Sequence, residues 1–168
     1  MKPEDYDCWP KQFPRHLTIP ETSLWQNLAT SAQRFPRKAL SVFYDSRVTY
    51  GEFLATVETM AGFLQHVCGV GRGDRVLLQM QNCPQFVAAF YAILRADAVV
   101  VPVSPMNVTD ELVHNIDDSG AKVAFVGQEL FDRIQPLMDG RVAHVIIATY
   151  SDALTGPTEL TVPDAVRA

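Results

Sequence analysis

The run AVVVPV at residues 98–103 contains no polar side chain. A strand with one wet face alternates apolar and polar residues, whereas an unbroken apolar run suits a strand covered on both faces of a parallel sheet. Three more runs of strand length accompany it: RVLLQM at 75–80, KVAFV at 122–126 and RVAHVIIA at 141–148. Helical patterns separate them. Gln85 to Arg95 is apolar almost all round, with Phe86, Val87, Phe90, Tyr91, Ile93 and Leu94, so it predicts a helix covered on more than one side. Asn82 and Gln85 have capping spacing before it, and Pro84 suits its first turn. Thr109 is placed to cap the next helix, whose first turn holds Asp110 and Glu111, and Ser119-Gly120 ends it. Glu129 to Met138 is a short helix interrupted by Pro136.

From about residue 74 to 148 the order is therefore β-α-β-α-β-α-β. Helical crossovers require parallel pairing and right-handed connections. The fold class is α/β, with an open, mainly parallel sheet and helices on both faces. The expected strand order puts 75–80 between 99–103 and 122–126, as in flavodoxin-like sheets.

Outward from that unit, Ser23 and Gln26 have S-x-x-Q spacing before a helix that buries Leu24, Leu28, Ala32 and Phe35 on one face; Pro36 ends it. ALSVFY at 39–44 and VTY at 48–50 read as a β-hairpin turning at Asp45-Ser46-Arg47. Thr49 and Glu52 form a capping box for a helix with Phe53, Val57, Met60, Ala61, Leu64 and Cys68 inward, stopped by Gly69. Residues 1–22 are an irregular arm, broken by Pro3, Pro10, Pro14 and Pro20, with Trp9, Phe13, Leu17 and Ile19 as apolar contact points. Residues 23–148 form the α/β unit, and 149–168 read as loop or linker.

Composition excludes some functions. The 168 residues are 48% apolar and 20% charged, an ordinary globular mix, with fourteen Lys+Arg against nineteen Asp+Glu. A net charge of −5 and a pI near 5.3 argue against a nucleic-acid binder and a polybasic membrane-surface protein. Cys8, Cys68 and Cys83 form no C-x-x-C motif, which fits reduced thiols in a cytosolic compartment. Met1 to Pro10 has no apolar stretch resembling a secretory signal. Phe86 to Val103 carries Arg95 and Asp97 at its centre, so it reads as two elements rather than a transmembrane segment.

An α/β sheet keeps its ligand at the carboxyl ends of its strands. The loop Gln81-Asn82-Cys83-Pro84 lacks the glycines of a dinucleotide site, and Gly69 to Asp74 lies at the opposite end. Met80, Val103 and Val126 stand where a phosphoacceptor would need acids, and no Walker, nucleophile-elbow or H-E-x-x-H motif is present. His16, His66, His114 and His144 have no metal spacing, and His144 reads as a hydrogen-bonded structural histidine. Asp117-Asp118 reads as a solvated helix end, since adjacent helical residues do not share a face. Cys83 has either a lowered pKa at a helix N-terminus or the role of a small buried thiol, and the second is favoured. Pro102 to Asn107 follows a strand at its carboxyl end. A binding edge and a rigid turn stand level as readings of it.

Several segments match one family in order. Val48 to Phe53 (VTYGEF) looks like its LTYGEL segment, and Gly71 to Val76 (GRGDRV) like GxGDRV. Asn82 to Phe86 (NCPQF) is similar to NSPEF, Leu94 to Pro105 (LRADAVVVPVSP) to xRAGAVVVPLNP, and Asp118 to Lys122 (DSGAK) to DSGAK. Over about residues 9–150 the chain resembles the N-terminal part of the AMP-forming adenylating enzymes, and within them the fatty-acyl-CoA ligases. The resemblance implies a parent that uses ATP, CoA and Mg²⁺ on a fatty or other carboxylic acid in the cytoplasm. Its phosphate loop, its Tyr-x-x-Thr-Glu segment, its ribose-binding Asp and its catalytic lysine would lie beyond this chain. This chain is then a front piece, inactive alone, binding none of these cofactors and contacting no nucleic acid. Residues 149–168 lead toward the remainder.

No catalytic or metal-ligating residue is expected here. Ser104, Pro105, Met106 and Asn107 would form the edge of a substrate channel. Two departures stand out: Asp97 replaces a usual glycine, and Met106 stands where some members carry arginine. Bare apolar surface on the helix Gln85 to Arg95 would drive self-association. The alternative is a free-standing flavodoxin-like binding or interaction module.

Overall fold

The computed structural model describes residues 9–10, 12–14 and 16–167; Cys8, with the rest of residues 1–8, and positions 11 and 15 of the expected arm lie outside the described residues. Its sheet has four strands, β3 (Arg75–Gln79), β4 (Val99–Pro102), β5 (Val123–Gly127) and β6 (His144–Ala148), in the order β4-β3-β5-β6. All three pairings are parallel, and β3 lies between β4 and β5 as expected. A separate antiparallel hairpin joins β1 (Ala39–Phe43) and β2 (Ser46–Thr49).

Helices cover both faces of the sheet. On one face lie α1 (Leu24–Arg34), α2 (Tyr50–His66) and α3 (Pro84–Arg95), packed over Val76, Leu78, Val123 and Phe125. On the other lie α4 (Thr109–Ser119) and α5 (Phe131–Ile134), over Leu77, Ala124 and Val126. Alternate residues of β3 and β5 thus enter two different cores, the period-2 consequence of the pleat. No helix among the described residues is long and apolar enough to cross a membrane.

The strand with the most uniformly apolar sequence is not the most buried. β5 is buried along its whole length and β3 beyond its first residue, but β4 is an edge strand and its Val99 is 46% exposed. An edge strand has one neighbour, so apolar composition alone does not place it in the middle. Pro102, which has no N–H to give to a ladder, is tolerated at that edge.

Several local expectations are corrected. The hairpin turns at Tyr44-Asp45, both left-handed (φ 45° and 65°), so Ser46 and Arg47 already belong to β2. This two-residue turn with positive φ matches the twist of the flanking strands. The N-cap of α3 is Cys83 rather than Asn82: its Sγ accepts from Phe86 N at 3.3 Å. Thr109 begins α4 instead of capping it, and Glu111 reaches back to accept from Val108 N at 3.0 Å. Ser23 and the Thr49–Glu52 box cap α1 and α2 as expected.

The helix α3 is largely covered, although its Val87 is 37% exposed. Ala88, Ala89, Ala92 and Ile93 are buried, α2 and α1 lie over it, and the Phe53 and Tyr91 rings meet edge-on at 6.1 Å. Arg95 closes its end by lying 5.1 Å from the Trp25 ring. Residues 149–167 fold back onto the body. Tyr150 and Val162 are buried, Thr155 N donates to Ser46 Oγ (2.9 Å) and Thr158 Oγ1 to Asp45 Oδ2 (2.7 Å), and α6 (Asp164–Arg167) closes the described chain. By contrast Trp9, Phe13, Leu17 and Ile19 are exposed.

Candidate functional site

Parallel pairing puts the ends of all four strands, Gln79, Pro102, Gly127 and Ala148, on one rim. The loop after β4 holds Ser104 to Asn107 together. Met106 N donates to Ser104 Oγ (3.2 Å) and Asn107 N to Ser104 O (3.1 Å), which closes a turn. Two side chains grip that turn from inside. Gln79, fully buried at the end of β3, donates Nε2 to Ser104 O (3.4 Å) and Asn107 O (3.3 Å). Arg133 of α5 donates Nη1 to Pro105 O (2.7 Å) and Asn107 O (3.1 Å), while its own carbonyl accepts from Thr109 Oγ1 (2.9 Å). With its carbonyls so occupied, the loop offers side chains to solvent: Met106 is 84% exposed. Beside it lies an open cleft of about 330 Å³ between Met80, Gln81, Asn82, Phe86 and Pro102 to Pro105, none of them charged.

A second group sits across the same rim. The buried Tyr150 donates its phenol to Glu129 Oε1 (2.8 Å) and accepts from Gln81 N (3.1 Å). Gln85 Nε2 holds the neighbouring Thr149 carbonyl at 2.9 Å. Gly127 has an ordinary φ of −63°, so conformation does not require glycine there. Space does: a Cβ would collide with the Tyr150 hydroxyl and stand 2.7 Å from Glu129 Oε2. Burial pushes the Tyr150 phenol above its ordinary value, opposed by the Gln81 N–H and reinforced by Glu129. Burial likewise pushes the Cys83 thiol up, against the hydrogen bonds from Phe86 and Gln85. Cys83 is therefore a protonated helix cap, not an activated nucleophile.

The remaining candidates do not converge. His144 is exposed at the start of β6 and makes no side-chain hydrogen bond among the described residues, which corrects its reading as a hydrogen-bonded histidine. Asp117 pairs with Arg141 Nε at 3.0 Å instead of being merely solvated. Gly69 to Asp74 stays at the opposite rim, with Gly71 N donating to Asp74 Oδ2 (2.8 Å). No group of three His, Cys, Asp or Glu residues able to hold a metal occurs among the described residues. Gln79, Glu129, Arg133 and Tyr150 escaped the reading of the sequence. Only Gln79, a polar residue in an apolar strand, left any signal there.

The family described as AMP-binding enzyme matches residues 28–166. Over 157 residues the chain is 32% identical to a long-chain-fatty-acid–CoA ligase of Bacillus subtilis (strain 168), covering 92% of this chain and 28% of the ligase. Among solved structures, the N-terminal domain of FACL13 from Mycobacterium tuberculosis superposes with a TM-score of 0.70 at 26% identity, covering 85% of this chain and 38% of that one. A long-chain-fatty-acid-CoA ligase from Archaeoglobus fulgidus has the same fold, with a TM-score of 0.70 at 24% identity over 79% of this chain and 28% of that one. The chain thus spans little more than a quarter of the length of the Bacillus relative.

Proposed function

Because the chain belongs to the AMP-binding enzyme family, we propose that it forms the N-terminal part of an ATP-dependent fatty-acid–CoA ligase acting in the cytoplasm. Such a ligase joins a carboxylate to AMP with release of pyrophosphate, then passes the acyl group to the thiol of CoA with release of AMP. The observation that carries the reading is the family match along nearly the whole α/β unit, in register with the sheet that builds the rim.

The rim's own residues define its share of the work. The described rim has no glycine-rich phosphate loop and no acid cluster. Its residues do not fit ATP phosphates or Mg²⁺, so no step through either group is assigned to it. The cleft beside Ser104, Pro105, Met106 and Asn107 has uncharged, mostly apolar walls, which suit a hydrocarbon or pantetheine chain better than a phosphate. We assign these four residues to the edge of the acyl or CoA channel. The clamp by Gln79 and Arg133 keeps that edge in one conformation.

The test is carboxylate-dependent exchange of labelled pyrophosphate into ATP. The chain alone should give none, and a longer product containing it should give exchange with long-chain acids. Exchange by the chain alone, lost when the acid is withheld, would mean that the catalytic centre lies within it. A longer product inert with every long-chain acid would remove the ligase reading. Self-association of the chain now rests on its open sheet edges, where Val99 of β4 and Ile147 of β6 are each 46% exposed, rather than on α3. Light scattering should show a dimer, and a clean monomer would dismiss it.

A further inference from the structure

The channel cleft has a neighbour. Beyond Gln81 and Asn82, which border both, a second open cleft of about 240 Å³ lies between Phe43, Tyr44, Glu129 and Tyr150. Four separate segments build it: the hairpin turn, the loop after β3, the exit of β5 and the end of the described chain. Hydrogen bonds tie them together. Thr158 Oγ1 and Thr155 N hold the turn through Asp45 and Ser46, Gln128 Nε2 donates to Ala165 O (3.5 Å), and the Tyr150 hydroxyl bridges Gln81 N and Glu129.

Glu129 is the one charged side chain lining this cleft. It is exposed, and the Tyr150 phenol fixes its Oε1 at 2.8 Å. Among the described residues no Lys, Arg or His stands within ion-pairing distance of it, and its Oε2 accepts no hydrogen bond. Burial holds the Tyr150 phenol and the Cys83 thiol protonated, so neither adds a second charge. The aromatic wall is kept despite backbone strain. Tyr44 has φ 45° at a turn position that favours Asn or Gly, and a bulky residue is an outlier there. Its ring meets that of Phe43 edge-on, with centres 4.7 Å apart. Strain of this kind gathers at ligand sites.

We propose that this cleft binds a small organic cation, a primary ammonium carried on an aryl or short alkyl body. The unpaired carboxylate takes the ammonium, and the aromatic side chains attract the cation and cover its apolar body. Glu129 repels an anion. A metal ion would need more ligands than this one carboxylate, and no group of three His, Cys, Asp or Glu able to hold one occurs among the described residues. The cleft is smaller than a drug-sized pocket, which limits the ligand to a few heavy atoms beyond a single ring. This inference is independent of the ligase reading and uses none of Ser104 to Asn107.

The test is amide NMR titration of the isotope-labelled whole chain at neutral pH with three probes of one shape: phenethylammonium, phenethyl alcohol and hydrocinnamate. The ammonium should saturate with a dissociation constant on the order of 1 mM or below, shifting the Tyr44 and Glu129 amides. It should bind roughly tenfold more tightly than the alcohol, the combined reach of one exposed ion pair and one cation–π contact, with the carboxylate weakest. Glu129→Gln, which keeps an acceptor for the Tyr150 phenol, should erase the preference for ammonium over alcohol. Tyr44→Asn, which suits the turn, should weaken both ligands several-fold, preserve their ratio and leave the circular dichroism unchanged. Asp118→Asn, near the end of α4 at the opposite rim, should bind like the unaltered chain. Equal binding of ammonium and alcohol, no saturation by about 10 mM ammonium, shifts confined to other faces, or an undiminished preference in Glu129→Gln would each overturn the proposal. So would binding of acetyl-lysinamide where phenethylammonium fails, a result that would give the cleft to a lysine side chain of a protein partner.

Discussion

At the N-terminal rim of the sheet, a residue with left-handed backbone precedes every strand: Gly73 before β3, Asp97 before β4, Gly120 before β5 and Gly140 before β6. At the C-terminal rim none of the described strand exits has a positive φ. Side chains from distant positions organise that rim instead. Gln79 reaches residues 104 and 107, Arg133 reaches 105 and 107, and Tyr150 reaches back to Gln81. The difference is one of range. The first rim is a series of local turns, each set by one residue's backbone freedom. The second is a network, in which altering one member changes what its partners can do.

The largest expected effect tests that network directly. Gly127→Ala should cost about 2–3 kcal/mol in denaturant unfolding, because the new Cβ must displace the buried phenol. In a Tyr150→Phe background, which removes the nearer clashing oxygen and releases the Glu129 carboxylate it holds, the same substitution should cost less than about 1 kcal/mol. Additive costs would mean that the C-terminal rim is no more coupled than the other.

Next comes the alkaline limb of stability. The Tyr150 phenol is raised above its ordinary value of 10.0. Its stabilising contribution is present below the unfolded value and is lost as pH rises through the higher folded value. Unfolding midpoints measured upward from pH 9 should therefore fall above about pH 10 for the unaltered chain, and less steeply for Tyr150→Phe. Parallel curves for the two would detach Tyr150 from the stability of this rim.

Smaller again is Asp97→Gly at the N-terminal rim. Asp97 holds φ 61°, and its ion pair with Arg72 is exposed (3.3 Å), so little is lost with the carboxylate. The change should stabilise the chain by about 0.5–1 kcal/mol and should add independently to Gly127→Ala. Destabilisation would show that the Arg72 pair outweighs the backbone strain.

The smallest effect lies outside both rims. The Thr49 backbone N–H, followed by its hydroxyl, holds the Glu52 carboxyl below its ordinary value. Its contribution is present above the unfolded value near 4.5 and fades as pH falls through the lower folded one. Glu52→Gln should remove that acid-limb slope and leave the alkaline limb alone. An unchanged acid limb would mean that the capping box adds nothing measurable to α2.

Legibility followed the same division. Gly69, Gly120 and the Thr49–Glu52 box were readable because a cap or a left-handed stop acts within four residues of itself. Cys83 was read near a helix N-terminus, but its use as the cap was not, since sulfur is not among the usual capping atoms. The loop Ser104 to Asn107 was found by position, as the segment after a strand in a parallel sheet. Its two clamps were not found, because Arg133 lies on another helix and nothing near it in the chain marks it as a partner.

Residue order alone determined the α/β class, the parallel pairing and the family, because helical crossovers and short ordered motifs are local facts with global consequences; the strand order was expected by analogy with flavodoxin-like sheets. Only the tertiary structure decided that AVVVPV lies at an edge, that α3 is sheltered by α1 and α2, and that Gly127 makes room for Tyr150. Those outcomes depend on which surfaces meet. A residue's polarity states a preference for burial, whereas the partner that buries it comes from another part of the chain and is chosen by packing.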